Sequence, residues 1–464
     1  MTAPGAKIEA SLAHARQLQR AGLVRDAEAA FRTVLAFEPD QPEALWALGA
    51  LLRRRGELDA ATEALTNAAR HAPRELAVWL ELAAAHTDAA RYEAARAAAG
   101  RALKLQPNAF EPHALLAEVE LGAGNPRAAF ASAQRVVKLL PEDARAYVLV
   151  GTALAAGGQL PDAEAAFRRA LALAPGDLTA TVHLANALRD QGRFAEAEPL
   201  YRAALARVPD AAGVLVHLGD AYVGMGRLDD AEQAYREAVW RQRGFETGWA
   251  NLFELVRRRG DLQRMGEVAR DAVEALPGSP DARVMQSAAF VARGDLDGAI
   301  AVLEHAVAAG IVSPRLRVAL GSTLRVAGRL DEAAAVLTEA LAATPGDVDA
   351  ALEYGHLQRG RGASEEALQL LRRAAESGPR DTRTVVLTGT LLLDLGRWDE
   401  AIRAYESALA DAPGSPDILV ALARALQGAL RVEEALMRCR EALERAPAHR
   451  LALELLGELS PGAR

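Results

Sequence analysis

Residues 179–209, TATVHLANALRDQGRFAEAEPLYRAALARVP, decide the fold of this chain. They read as two short amphipathic helices joined at Gly192 and stopped by Pro209. Counting back from Pro209 in steps of 34 residues reaches Pro175, Pro141, Pro107, Pro73 and Pro39. Counting forward reaches Pro277, Pro345, Pro379, Pro413 and Pro447, and only the steps at Arg243 and Ile311 miss. A fixed period of this length carrying a helix–turn–helix unit is the signature of a stacked helical array.

With the closing proline at position 32, units begin at Ile8, Pro42, Leu76, Phe110, Ala144, Leu178, Ala212, Glu246, Pro280, Pro314, Val348, Thr382 and Pro416. Position 20 is alanine in every unit except the eighth, where it is Met265. Position 8 is small in most units, as in Gly49, Ala83, Gly151, Gly219 and Gly389. Small residues at both places let two helix backbones approach closely. The turn carries glycine from Gly22 to Gly396 in eleven units, because a left-handed residue ends a helix at little cost. Asp143, Asp177, Ser279, Ser313, Asp347, Asp381 and Ser415 stand where the N-cap of the next helix belongs.

Leu48-Gly49, Leu218-Gly219 with Tyr222, Ala231 with Tyr235, Ala401 with Tyr405 and the closing prolines resemble the tetratricopeptide repeat. The resemblance covers residues 8–449. It implies an all-α fold, a right-handed α-solenoid of about thirteen stacked repeats, with residues 1–7 as a tail. Residues 450–464, with Leu451 to Leu459, repeat only a first helix and are expected to cap the array and end in a short tail.

Composition agrees with an array. A chain of 464 residues exceeds what one compact core supports, about 250–300 residues, whereas stacked units bury only against their neighbours. The net charge of −8 gives no overall attraction to nucleic acid or anionic lipid. Cys439 is the single cysteine, which excludes internal disulfides, and its interior position suits a small buried hydrophobe. The first residues lack the apolar core of a secretory signal and no long uncharged apolar run occurs, so a cytoplasmic protein is expected.

The eighth unit breaks the pattern twice. Phe253 takes the small position and Met265 the alanine that faces it, so the helix pair is expected to be wedged apart. The ninth unit follows with Gln286 where leucine is usual, Ser287, and Ile311 for proline. A local change of geometry between about Trp240 and Ile311 is the expectation.

The resemblance also implies that first helices line a concave face through positions 2, 5, 6, 9, 12 and 13. By that mapping the central groove carries His183, Asn186 and Arg189, then His217 and Asp220, then Asn251, Glu254 and Arg257. Such a row of amide, imidazole and charged groups suits the unpaired donors and acceptors of an extended peptide backbone. Lysine and asparagine do not stand at the groove positions by which some members hold C-terminal carboxylates: Leu12, Arg16, Trp46 and Ala50 are there instead. Two arginine triplets, Arg53 to Arg55 and Arg257 to Arg259, close first helices, where positive charge favours the helix end.

No phosphate-cradling glycine loop, His-Glu-x-x-His motif or nucleophile turn occurs, and no catalytic residue, metal ligand or cofactor is expected. The leading expectation is a noncatalytic adaptor that binds a protein or peptide partner in its groove, with no membrane or nucleic-acid role. The alternative is the substrate-recruiting subunit of an enzyme complex, such as a protein glycosyltransferase, with catalysis on another chain. A third is self-assembly through the leucine-rich C-terminal helix.

Overall fold

The computed structural model describes residues 3–377 and 381–460, with side chains from residue 8 on. Met1 and Thr2 of the expected N-terminal tail, Pro379 and the last four residues lie outside the described residues. Residues 3–7 of that expected tail prolong the first helix. The described chain is helical throughout and divides into two compact units, residues 1–238 and 239–464.

The first unit begins with α1 (Ala3–Arg20), α2 (Val24–Phe37), α3 (Pro42–Arg54), α4 (Leu58–His71), α5 (Leu76–Asp88) and α6 (Tyr92–Leu105). It continues with α7 (Phe110–Gly122), α8 (Pro126–Leu139), α9 (Ala144–Ala156), α10 (Leu160–Leu173), α11 (Leu178–Asp190), α12 (Phe194–Arg207) and α13 (Ala212–Gly224). The boundary falls inside α14 (Leu228–Arg241). The second unit holds α15 (Glu246–Arg259), α16 (Leu262–Ala275), α17 (Pro280–Ala292), α18 (Leu296–Ala308), α19 (Pro314–Val326) and α20 (Leu330–Ala343). It ends with α21 (Val348–Gly360), α22 (Ser364–Ser377), α23 (Thr382–Asp394), α24 (Trp398–Asp411), α25 (Pro416–Gly428), α26 (Val432–Arg445) and α27 (Arg450–Leu459). Every odd-numbered helix from α3 to α25 starts on the residue read from the sequence. Among the described residues none of these helices is long and apolar enough to cross a membrane.

Within each unit helices pack in chain order, each on its immediate neighbours. Small residues set the spacing: a Cβ on Gly151 of α9 would lie 2.5 Å from the Phe167 ring of α10. Between the helices of a repeat the chain turns through a left-handed residue. Gly192 has φ 76°, its N–H donates to Arg189 at 2.8 Å, and the N–H of Arg193 returns to Leu188 at 2.9 Å. That closure satisfies carbonyls the helix end would otherwise leave open. Two repeats make the same turn without glycine, at Ala90 (φ 54°) and Leu430 (φ 62°).

N-caps follow the expectation in part. Asp177 and Asp347 accept from Ala180 and Ala350 at 2.9 Å, and Ser279 accepts from Ala282 at 3.3 Å. Ser313 and Ser415 make no side-chain cap, whereas Gln41 caps α3 at 2.7 Å. Ser313 enters α19 with φ −152°, far from the −78° of Ser279.

Neighbouring repeats are also joined by buried acids. Glu28 and Glu164, 3% and 6% exposed, each take the arginine four residues on, Arg32 at 2.7 Å and Arg168 at 2.8 Å. The following repeat adds Arg55 to the first, and Arg193 at 2.7 Å and Gln191 at 3.0 Å to the second. A buried charge is tolerated only when paired in this way.

The two missing prolines have different consequences. At Arg243 the turn keeps its form, with Trp249 Nε1 donating to the Arg243 carbonyl at 2.8 Å as Trp79 does to Pro73 at 2.9 Å. At Ile311 it does not: α18 stops at Ala308 and closes through Gly310 (φ 79°), with the N–H of Ile311 on Ala306 at 3.1 Å. In the eighth repeat Phe253 and Met265 are both buried, and α15 runs one residue further than its counterparts, to Arg259. The backbones of α15 and α16 are less closely packed than those of α11 and α12.

Candidate functional site

Side chains that the repeat aims away from its partner helix collect on one face of the first helices. In the second unit this face forms a hollow of about 790 Å³ running across α17, α19, α21, α23 and the start of α25. All its lining residues except Thr382 and Ile418 occupy positions 2, 5, 6, 9 or 12, those assigned to the groove from the resemblance. The floor is apolar, with Val318, Ala319, Leu352, Val386 and Leu387. A second hollow of about 410 Å³ shares Val284, Ala319 and Ser322 with it and extends over Val291 and Val326 to Arg257.

The rim is charged and largely self-paired. Position 2 alternates in sign as Asp281, Arg315, Asp349 and Arg383, and Arg315 meets Asp281 at 2.9 Å while Arg383 meets Asp349 at 3.0 Å. Arg325 reaches Glu353 at 3.1 Å and Arg359 reaches Asp394 at 2.6 Å. His356 faces the same hollow, and desolvation lowers its pKa, aided by Arg325 and Arg359 and opposed by Glu353. The arrangement offers apolar contact area with fixed charges at the edge and assembles no nucleophile with a base.

The polar row of the first unit is built differently. His183 lies flat on the Phe167 ring, with centroids 5.4 Å apart and planes 12° apart, and burial lowers its pKa. Asn186 and Asp220 each accept a hydroxyl from a buried tyrosine of the following helix, Tyr201 and Tyr235, at 2.7 Å. Arg189 Nη1 lies 2.7 Å from His217 Nδ1 and 3.6 Å from Asp220. His217 Nδ1 also faces Asp220, at 3.8 Å. Burial pushes the Asp220 carboxyl up, but hydrogen bonding to His217 and Tyr235 and the Arg189 charge leave it below its usual value.

The structure thus brings His183, Asn186, Arg189, His217 and Asp220 together on α11 and α13 of the first unit. Asn251, Glu254 and Arg257 sit on α15 of the second. There Glu254 is held by Arg257 at 2.7 Å and Arg258 at 2.8 Å, which draw its pKa down to about 2 against the opposing effect of burial.

Sequence reasoning missed three things. The C-terminal hollow was one, although its residues lie on the positions already named. Another was that arginine at position 12 pairs with the next repeat 28 residues on, as Arg53 does with Glu81 at 2.7 Å and Arg325 with Glu353. The third concerns the first arginine triplet, whose Arg53 and Arg55 are taken up by Glu81, Asp88, Glu28 and Glu57 instead of standing open as helix-end charges. The signal for the last two was the recurrent spacing of opposite charges.

Two family profiles, both described as tetratricopeptide repeat, match this chain. The first matches residues 12–66, 115–177 and 183–246, and the second residues 324–384 and 392–459, together well over half of the sequence. Among solved structures the chain is similar to yeast Tom70, at 14% identity over 85% of this chain and 97% of that one, with a TM-score of 0.49. It is also similar to a tetratricopeptide repeat protein from Parabacteroides merdae, at 17% identity over 54% of this chain and 98% of that one, TM-score 0.49. The APC/C hetero-tetramer Cut9-Hcn1 is a third, at 14% identity over 96% and 95%, TM-score 0.40. No curated protein matches.

Proposed function

Because the chain belongs to the tetratricopeptide repeat family, we propose that it is a noncatalytic cytoplasmic scaffold that holds a segment of a partner protein in its groove. The observation that carries this reading is the hollow across α17 to α25, where side chains from successive first helices make one apolar floor with a charged rim. Apolar floors of this kind supply affinity, while fixed charges at the edge select orientation and partner. The groove-facing residues of α11 and α13, with Asn251, Glu254 and Arg257 of α15, take the part of polar contacts in the same reading. Asn186 supports it by keeping its amide nitrogen clear of the Tyr201 hydroxyl.

The test is affinity purification of the full chain from its native source, beside a Val318→Asp/Val386→Asp variant whose helicity is checked by circular dichroism. Both valines are half-buried on the floor and pack against the core beneath it, so the thermal midpoint of the variant is followed beside its helicity. Partners lost from the variant are groove partners. An identical set of captured proteins overturns the groove reading. A stoichiometric catalytic chain retained by both proteins points instead to a recruiting subunit.

A further inference from the structure

Glutamate stands at position 21 in the first, fifth, sixth and seventh repeats, and each is gripped by the arginine four residues later. Arg32 holds Glu28 at 2.7 Å, and Arg168, Arg202 and Arg236 hold Glu164, Glu198 and Glu232 at 2.8 Å. The next repeat supplies a second hand, Arg55 on Glu28 and Arg227 on Glu198 at 3.1 Å. The eighth repeat keeps the first hand as Arg270, and the ninth supplies Arg293 at the position of Arg55. Between them the acid is replaced by Gly266.

The Arg293 guanidinium rests over Gly266, in the space a Cβ there would occupy. Its Nη2 reaches the Leu262 carbonyl at 3.5 Å, and Arg270 Nε meets Asp271 at 3.8 Å, both at the limit of a polar contact. Beside them a cavity of about 330 Å³ opens between α16 and α17, with the amides of Gln263 and Gln286 in its wall. Gln286 takes a place that is leucine in most repeats, so two departures from the pattern converge on one cavity. Glu267, also in the wall, accepts from Gln263 at 3.1 Å.

We propose that this cavity is a carboxylate receptor. A carboxylate from outside the chain takes the place of the missing glutamate and is held by Arg270 and Arg293, with the two amides around it. The guanidinium fork matches a carboxylate in two parallel hydrogen bonds, and the flanking repeats have already set the spacing. The site lies on a second helix and its neighbour, off the groove positions, and does not depend on the groove reading. Its ligand is an acidic side chain of a partner protein or a free dicarboxylate, which share this chemistry.

The full chain, labelled with ¹⁵N at arginine Nε, is titrated with the capped peptide acetyl-Gly-Glu-Gly-amide, its Gln counterpart and glutarate. The Arg270 and Arg293 signals, assigned with R270K and R293K, shift saturably with the carboxylates and not with the Gln peptide. Arg293→Gln weakens binding about tenfold, the loss of one charge-assisted contact. Gly266→Glu abolishes the titration, because its own carboxylate fills the site, and raises the thermal midpoint. A tighter peptide assigns the ligand to a partner's side chain, tighter glutarate to a free dicarboxylate, and equal affinities to the carboxylate group alone. Equal shifts with the Gln peptide, no saturation, or a Gly266→Glu protein that titrates like the parent overturns the proposal.

Discussion

The hydroxyl of Tyr235 on α14 donates to Oδ1 of Asp220 on α13 at 2.7 Å, fifteen residues back along the chain. Tyr201 makes the same bond to Asn186, and Tyr405 pairs with Thr390 at 3.1 Å. Each tyrosine lies at position 24 with its ring in the core, so a polar residue at position 9 is what satisfies the hydroxyl. Tyr235→Phe removes the donor and leaves the half-buried Asp220 carboxylate short of a partner. A loss of about 1–2 kcal/mol is expected from the shift in urea midpoint. Phe167→Tyr is the converse, because Thr152 already stands at position 9 of that repeat and bonds back to Val148 as Thr390 does to Val386. That change should leave stability within about 0.5 kcal/mol of the parent.

Ala90 and Leu430 adopt the left-handed turn that glycine makes in the other repeats, at φ 54° and 62°. An L side chain there costs about 1–2 kcal/mol, partly offset by the extra freedom glycine has when unfolded. Ala90→Gly and Leu430→Gly should each stabilise the chain by about 0.5–1 kcal/mol in denaturant melts. Leu430 is 86% exposed, so its removal sacrifices almost no packing. A lower midpoint in either variant would show that the turn is held by something other than backbone preference.

The turns and helix starts were legible because each depends on one residue type at one place: proline, glycine, a small residue at the crossing. The groove positions came instead from the family resemblance, and the hollow of the second unit is lined from those same positions. The hydrogen bonds at the site were not legible. Asn186 and Asp220 read as open groove groups because nothing local reveals that a tyrosine fifteen residues on will spend one of their oxygens. The turn through Gly310 that follows α18 was hidden too, since Ile311 signals only that a proline is missing and not which turn replaces it. Pairs made across repeats are a property of the stack, and they emerge only when residues 28 or 34 apart are compared.

His183 gives the fold a dependence on mild acid. Burial against Phe167 lowers its pKa below 6.5, its value when unfolded, so the unfolded chain binds the proton more readily. Stability is therefore complete above pH 6.5, falls as pH drops toward the folded pKa, and levels off beneath it. His86 and His356 are lowered in the same direction and add to the slope. Replacing His183 by Phe keeps the stack without a titrating group. Urea midpoints of parent and variant, measured from pH 8 to pH 5, should diverge only below about 6.5, with the variant less sensitive. Parallel curves would mean that the ring protonates in place.

Phe253 and Met265 hold the eighth repeat in its own geometry. Both are buried, at 6% and 2% exposure, on helices whose backbones pack less closely than in the sixth repeat. Met265→Ala restores the residue found at position 20 in every other repeat, yet it should destabilise, because the backbone is already spread around the larger side chain. A loss of about 2–4 kcal/mol is expected for the cavity alone. Phe253→Ala should cost about 3–5 kcal/mol for the same reason. The two together let the helices close to the spacing of their neighbours, which refills the void. The double variant should lose at least about 1 kcal/mol less than the sum of the single losses, measured by a double-mutant cycle in urea. Additive losses would place the spread in the connection around Gly260, where α15 runs on, and not in the two side chains.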